Sequence, residues 1–334
     1  MEAEPIDRCT KAVSVGTATE RPRTLTDGRG RPKVLVLLAS YNGAPWIVEQ
    51  IDSILAQNGV EVRVVIRDDC SRDETRAKIA PFLGHSPVSL TSGDSPTGSA
   101  AQNYFSLMRD NSADGFDFVA LADQDDNWNP DKLIRACYRL SHGDRAGYSS
   151  ATLAFWPNGR SAVLTQSSRA TRSDFLFGGI GQGCTFVLTA GFYARVREFL
   201  ASRPGITKDI HYHDWALYAL ARTWYLSWIF DPTPSLRYRQ HDRNDTGARA
   251  SVAGMRKRLA LIRRGWFTGQ LRAIAALCAA ADPTNLTVAT WHSFLLAPET
   301  WSRRLRMARF CLRGGRRSFR DNAALVTAAL AGWL

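Results

Sequence analysis

Short apolar runs alternate with stretches of helical periodicity along the N-terminal half of the chain. Val34-Leu35-Val36-Leu37-Leu38-Ala39 is a continuous apolar run, as expected of a strand buried on both faces. It ends in the turn residues Ser40-Tyr41-Asn42-Gly43, after which Ile47, Ile51, Ile54 and Leu55 recur at helical spacing. Val60 to Ile66 predicts a second strand, and a helix follows to about Leu83. Val88 to Thr91 predicts a short third strand, Gly98 to about Arg109 a helix, and Phe116 to Ala122 a fourth strand. Strands alternating with helices predict an α/β fold with a mostly parallel sheet covered on both faces. Ligands bind such sheets beyond the carboxyl ends of the strands. The polar clusters of this chain lie at those ends.

One cluster is Asp123-Gln124-Asp125-Asp126-Asn127-Trp128, directly after the fourth strand. Three carboxylates placed together repel one another, and a divalent cation between them relieves the repulsion. Mg²⁺ or Mn²⁺ takes oxygen ligands, typically one or two carboxylates with phosphate oxygens completing the shell. The cluster therefore points to a metal-bound, phosphate-bearing substrate. The alternative is a solvated acidic turn capping a helix that starts near Pro130.

Taken together, these segments resemble glycosyltransferase family 2, whose members have the GT-A fold. The resemblance runs over about residues 33–248. It rests on Ser40-Tyr41-Asn42, on Asp68-Asp69-Cys70-Ser71-Arg72-Asp73-Glu74-Thr75, and on Asp123-Gln124-Asp125-Asp126 as the family's D-x-D motif. Gly183-Cys184-Thr185, His213-Asp214-Trp215 and the segment from Tyr238 to Gly247 fit as well. The Asp-Gln-Asp-Asp-x-Trp and Gln-His-x-x-Asn-x-x-Gly wordings resemble bacterial rhamnosyltransferase-like members. Cys70 stands where the family often has Gly.

The resemblance implies a metal-dependent inverting glycosyltransferase using a dTDP- or UDP-sugar, with rhamnose from dTDP-rhamnose as the expected donor. Ser40, Tyr41 and Asn42 would close over base and ribose, and Asp68 or Asp69 would accept the imide proton of a pyrimidine. Asp125 would ligate Mg²⁺ or Mn²⁺, with His241 as a further ligand. Asp123 would meet the ribose or support the metal from behind, and Gln124 would join the nucleotide-sugar site. Inversion by direct displacement needs a base for the acceptor hydroxyl, and Asp214 is the expected one. Its alternative role is an N-cap for a helix from Trp215 to Arg222. Trp128, Gly183, Cys184, His213 and Trp215 would line the sugar and acceptor pocket.

Several other chemistries are disfavoured. Gly178-Gly179-Ile180-Gly181-Gln182-Gly183 does not fit G-x-G-x-x-G, because Cys184 occupies the third glycine position. It is expected to be a loop at the pocket leading into a strand from Thr185 to Thr189. His211 and His213 have no further ligands nearby in sequence to make a zinc site. No G-x-S-x-G nucleophile motif occurs. A nucleotidyltransferase would carry a Gly-rich basic loop after the first strand, where this chain has Ala39 to Gly43. A degenerate glycan-binding scaffold would not need Asp123, Asp125, Asp214 and His241 together.

Composition adds the C-terminal part. The net charge of +12 over 334 residues is carried by residues 249–334, which hold 15 Lys and Arg against Asp282, Glu299 and Asp321. Residues 34–248 are near neutral, which argues against a general nucleic-acid binder. Trp301, Leu305, Ala308 and Leu312 share one helical face, with Arg303, Arg304, Arg306, Arg309 and Arg313 around it. Met255 to Phe267 is similar. Basic amphipathic helices with Trp at the boundary suit an anionic membrane surface. The alternatives are apolar stripes packed on the catalytic domain, or a calmodulin-like or RNA partner. Six singly spaced cysteines suit a reducing cytosol. No apolar stretch approaches the roughly 20 residues of a transmembrane helix. The expected organisation is a disordered segment 1–32, a catalytic domain 33–248 and a basic helical extension 249–334, in a cytoplasmic protein at the inner membrane face.

Overall fold

The computed structural model describes residues 30–84, 87–165, 170–242, 244, 262–316 and 319–334. Most of the N-terminal segment expected to be disordered lies outside them, as do 255–261 of the first basic stretch and 243 and 245–247 of the His241 segment.

The chain opens with β1 (Lys33–Ser40), α1 (Ile47–Leu55), β2 (Glu61–Asp68), α2 (Thr75–Ile79), β3 (Val88–Ser92), α3 (Ala100–Asp110) and β4 (Phe118–Asp123). It continues through β5 (Asn127–Trp128), α4 (Lys132–Leu140), β6 (Arg145–Ser150), β7 (Thr152–Phe155) and β8 (Ser161–Leu164). Then come β9 (Val187–Thr189), α5 (Ala190–Ser202), α6 (His213–Thr223), β10 (Ser227–Asp231) and β11 (Leu236–Arg239). The main sheet has the order β10-β6-β9-β4-β1-β2-β3. All its pairings are parallel except those of β9, which runs antiparallel to both β4 and β6. A smaller sheet has the order β5-β11-β7-β8.

The alternation of side chains along β1 divides the core. Val34, Val36 and Leu38 join Ile47, Ile51 and Ile54 of α1 and Leu133 of α4 on one face. Leu35 and Leu37 join Tyr104 and Leu107 of α3 and Leu217 of α6 on the other. This is why β1 reads as an unbroken apolar run.

The second face does not end with α6. It continues through α7 (Trp266–Ala281), α8 (Leu286–Leu296), α9 (Trp301–Gly314) and α10 (Phe319–Leu330). Phe267, Leu271, Ile274 and Leu277 of α7 enter the same core layer as α3, α5 and α6. Gln270 accepts from His211 N at 2.9 Å and donates to Asp209 O at 2.8 Å. Arg316 donates to Phe177 O at 2.8 Å. Basic though it is, this extension is part of the packed body.

α9 turns Met307, Ala308 and Cys311 inward together with Arg303, whose guanidinium pairs with Glu299 and donates to Leu334 O at 3.1 Å. Trp301, Leu305 and Leu312 point outward and are 62%, 50% and 64% exposed. The stripe picked out by periodicity is thus mostly the solvent side, and only Ala308 of it is buried. No helix among the described residues is long and apolar enough to cross a membrane.

Candidate active site

Register brings the polar clusters together. Ser40 lies opposite Asp68 across β1–β2, and Ala39 lies opposite Asp123 across β1–β4. Three neighbouring strands therefore end side by side.

The loop after β1 is pinned from both sides. Asn42 N donates to Ser71 Oγ at 2.8 Å, and Gly43 N donates to Thr75 Oγ1 at 2.8 Å. Asn42 Oδ1 accepts from Arg72 N at 2.8 Å. On the other side, Gln124 brackets the Tyr41 peptide: Oε1 accepts from Tyr41 N at 2.7 Å and Nε2 donates to Tyr41 O at 2.8 Å. A Cβ on Gly43 would collide with that Gln124 amide, so glycine is a packing requirement here. Asn42 and Cys70 have φ of +50° and +61°. The left-handed region costs Asn little and glycine nothing. Cys70 thus adopts the conformation that a glycine would supply at the same position.

Asp68 and Asp69 are both buried. Asp68 accepts from Ser71 N at 3.0 Å, Ser71 Oγ at 2.5 Å and Arg76 Nε at 2.6 Å. Among the described residues, Asp69 Oδ1 accepts from Arg67 at 3.0 Å and Thr97 N at 2.8 Å, while Oδ2 accepts only from Thr97 Oγ1, at 2.9 Å. Asp69 Oδ2 therefore keeps acceptor capacity.

In the acidic loop the carboxylates have different surroundings. Asp123 accepts from Tyr104 Oη at 2.8 Å. Desolvation and the neighbouring Asp125 charge push its carboxyl up to about 7, with Asp214 adding to the shift. Tyr104 in turn stacks on His213, with centroids 3.9 Å apart. Asp214 follows at the start of α6 and accepts from Trp215 N at 2.6 Å. The helix begins at His213, two residues before the expected start, so Asp214 sits in its first turn. Asp125 Oδ2 lies 2.8 Å from His241 Nε2, and Trp46 stacks flat on His241 at 4.0 Å. Arg239 Nε donates to Asp125 O at 3.1 Å, and its Nη2 bonds Glu49 at 2.5 Å. Asp126 is fully buried, beside the Cys184 thiol and the Arg239 backbone N–H. Burial, then Asp125 and Asp123, push its carboxyl well up.

The pocket residues divide into two groups. Gly183 and His213 pack against each other: a Cβ on Gly183 would strike the His213 ring. Cys184 lies behind it: its Sγ and carboxylate oxygens of Asp123 and Asp126 are all within 4.8 Å of one another. Burial, Asp126 and Asp123 push its thiol well up. Trp128 and Trp215 are core residues. The Trp215 indole donates to Phe175 O at 2.7 Å, and its ring stacks on Phe267. Trp46, Glu49, Tyr104 and Arg239 contact these residues, and no sequence pattern singles them out. Each is an ordinary helix, strand or turn residue locally, and only tertiary folding gives it a partner.

Residues 35–180 match the family model for glycosyl transferase family 2. The dTDP-rhamnosyl transferase RfbG of Shigella flexneri is 32% identical over 275 residues, spanning 81% of this chain and 95% of that protein. The chain belongs to glycosyltransferase family 2. It is a nucleotide-sugar glycosyltransferase, and its solved structural neighbours are GT-A enzymes. S. aureus TarS 1–349 in complex with UDP-GlcNAc has a TM-score of 0.55 at 17% identity, over 90% of this chain and 80% of that one. Mannosyltransferase PcManGT from Pyrobaculum calidifontis, in complex with GDP-Man and Mn2+, has a TM-score of 0.52 at 18% identity, over 92% and 87%. At such identities the likeness establishes the fold of this family 2 member, and its chemistry rests on its own residues.

Proposed function

We propose that this family 2 enzyme transfers rhamnose from dTDP-rhamnose, with inversion and a divalent cation, to a hydroxyl of a cell-surface or lipid-linked glycan. The donor rests on the likeness to a dTDP-rhamnosyl transferase over 95% of that protein's length. The observation that carries the chemistry is the pair Asp125 Oδ2 and His241 Nε2, 2.8 Å apart at the edge of the carboxylate loop.

The pair fits Mg²⁺ or Mn²⁺: one carboxylate oxygen and one imidazole nitrogen are close enough to share an ion, leaving positions for diphosphate oxygens. The tighter cluster of Asp123, Asp126 and Cys184 suits it less, because sulfur is a soft ligand for these hard ions and Asp126 is sealed from a nucleotide. When bound, the metal supplies Lewis acidity to the leaving diphosphate. Trp46 holds the His241 ring in plane, and Arg239 holds the Asp125 backbone. The pinned loop of Ser40, Tyr41 and Asn42 closes over base and ribose, and Asp69 Oδ2 offers an acceptor to a ring imide. Asp123 faces the ribose, braced by Tyr104. Asp214 takes the proton of the acceptor hydroxyl as the new bond forms.

The outer face of α9 holds the enzyme at an anionic inner-membrane surface, close to a lipid-linked acceptor. Trp301, Leu305 and Leu312 form an exposed apolar stripe, with the exposed Arg306, Arg309 and Arg313 beside it. That combination matches the boundary between lipid headgroups and acyl chains.

A thermal-shift panel of nucleotide sugars with and without Mn²⁺ tests the donor, because a ligand that binds only the native state raises Tm. dTDP-rhamnose with Mn²⁺ is expected to give the largest shift, and chelation to remove most of it. A larger shift with a UDP- or GDP-sugar would overturn the donor assignment.

A further inference from the structure

The glycine segment Gly178-Gly179-Ile180-Gly181-Gln182-Gly183 is no nucleotide-binding fingerprint, but contacts hold it along its length. With the preceding Phe175 to Phe177 it forms a strap against the start of α6. Phe175 O accepts from the Trp215 indole at 2.7 Å. A Cβ on Gly179 would lie 3.5 Å from Trp215 N and 3.7 Å from the Asp214 carbonyl carbon. Ile180 O accepts from Ser149 Oγ of β6 at 2.6 Å, and Gly183 packs on His213. The strap thus runs along the backbone that carries Asp214.

Its first end is held from the C-terminal extension. Arg316, between α9 and α10, donates twice to Phe177 O, from Nε at 3.1 Å and from Nη2 at 2.8 Å. Asn322 of α10 brackets the Arg316 backbone, accepting from its N at 2.5 Å and donating to its O at 2.8 Å. The buried Phe177 ring packs against Trp291 of α8 and Phe310 of α9, with centroids 5.2 and 5.7 Å away. A guanidinium fork on one carbonyl is charge-assisted and fixed in direction. Two glycines follow Phe177 directly, so the backbone there has little stiffness of its own.

We infer that Arg316 is a positioning residue, through which the C-terminal extension fixes the strap and, through the strap, the start of α6. A fixed helix start in turn places the Asp214 carboxylate for the acceptor proton, so the extension takes part in turnover. This second consequence rests on the reading of Asp214 as the base; the first does not.

The test uses the full chain as wild type, Arg316→Met, Asp214→Asn and the double variant. Methionine keeps an unbranched apolar stem and removes the donors. Hydrogen exchange followed by mass spectrometry reads the first part. Peptides covering the strap and the start of α6 are expected to exchange roughly tenfold faster in Arg316→Met, the scale of losing a charge-assisted bond, with β1 and β4 unchanged. Equal exchange in the strap overturns the inference, and so does a rise spread evenly over the sheet, which is general destabilisation. Arg316→Lys, which keeps a cation but loses the fork, is read by the same comparison if the methionine form does not fold. Release of dTDP from dTDP-rhamnose with Mn²⁺, water standing in for the acceptor, reads the second part. In Arg316→Met, kcat is expected to fall roughly 10–100-fold through misplacement of the base, with the thermal shift by dTDP-rhamnose unchanged. In the Asp214→Asn background the same change is expected to cost almost nothing, because groups acting as a unit are not additive. Unchanged kcat, or an equal loss in both backgrounds, overturns the route through Asp214. Asp214→Asn that keeps wild-type turnover overturns the base reading, and wild type that releases no dTDP overturns the donor reading. In both cases the exchange comparison still decides whether Arg316 positions the strap.

Discussion

Asp125 Oδ2 and His241 Nε2 meet at 2.8 Å although 116 positions separate them in the chain. β4 delivers the first and the end of β11 the second, and Trp46 from the turn before α1 clamps the imidazole. Asp125→Ala is expected to abolish transfer and the Mn²⁺-dependent rise in Tm, while the chelated protein stays folded. Removing one of several mutually repelling carboxylates relieves the metal-free loop. His241→Ala is expected to weaken Mn²⁺ binding, measured by calorimetry, more than it lowers the Tm of the chelated protein. Near-native turnover and metal dependence in Asp125→Ala would exclude it as a ligand.

Asp214→Asn keeps the shape of the side chain and its bond from Trp215 N, but cannot take a proton from the acceptor. Turnover is expected to fall roughly 10²–10⁴-fold, the range typical of a general base. Donor binding by thermal shift is expected to stay near wild type. Lost donor affinity with retained turnover would assign Asp214 to holding the start of α6 instead.

Asp231 joins three elements. It accepts from Arg135 Nη2 of α4 at 2.8 Å, Tyr148 Oη of β6 at 2.9 Å and Thr233 N at 2.9 Å. Burial pushes its carboxyl up, but the Thr233 N–H, Arg135 and Tyr148 outweigh it, and the net displacement is below the ordinary value. A carboxylate lowered in the folded state adds stability above the unfolded pKa, about 4, and that stability is lost as pH falls through the folded value. Asp231→Ala is expected to cost about 3–5 kcal/mol near neutral pH, because it leaves Arg135 and Tyr148 without their buried acceptor. Denaturant unfolding at neutral pH and at about pH 3 checks this. The difference between variant and wild type is expected to shrink in acid; a constant difference would mean the loss is packing alone.

The α9 face makes a separable prediction. Arg306, Arg309 and Arg313 are exposed, so changing all three to Gln is expected to leave Tm nearly unchanged. Each basic residue near an anionic bilayer contributes about 1 kcal/mol, and salt screens it within a Debye length. Binding to vesicles rich in phosphatidylglycerol is expected to weaken by about 10²-fold in the variant, and in the parent chain to fall with added salt. A parent chain that ignores such vesicles would assign the face elsewhere.

Residues 33–123 were largely legible as sequence, because each β/α unit there carries its own periodicity and turn chemistry. Val34 to Ala39 reads as a buried strand whatever surrounds it, and the three polar clusters follow the strands they should. The D-x-D wording and Gln240-His241 identified the family and the two metal-site candidates. Elsewhere local pattern was weaker. β9 covers only Val187–Thr189, since Gly183–Thr185 forms a single 3₁₀ turn before it. The C-terminal helices read as a detachable basic extension, yet α7 lies in the core beside α6. Periodicity tells which residues share a helical face but not which face is covered, because burial depends on what packs there. So Trp301, Leu305 and Leu312 face outward while Arg303 faces in. Tertiary structure alone decided which carboxylates face solvent and which face the core, and it alone placed the Lys132 ammonium over the Trp128 ring. An isolated turn of sequence carries charge and spacing, but desolvation and pairing, which set what a charge does, exist only once distant strands have closed around it.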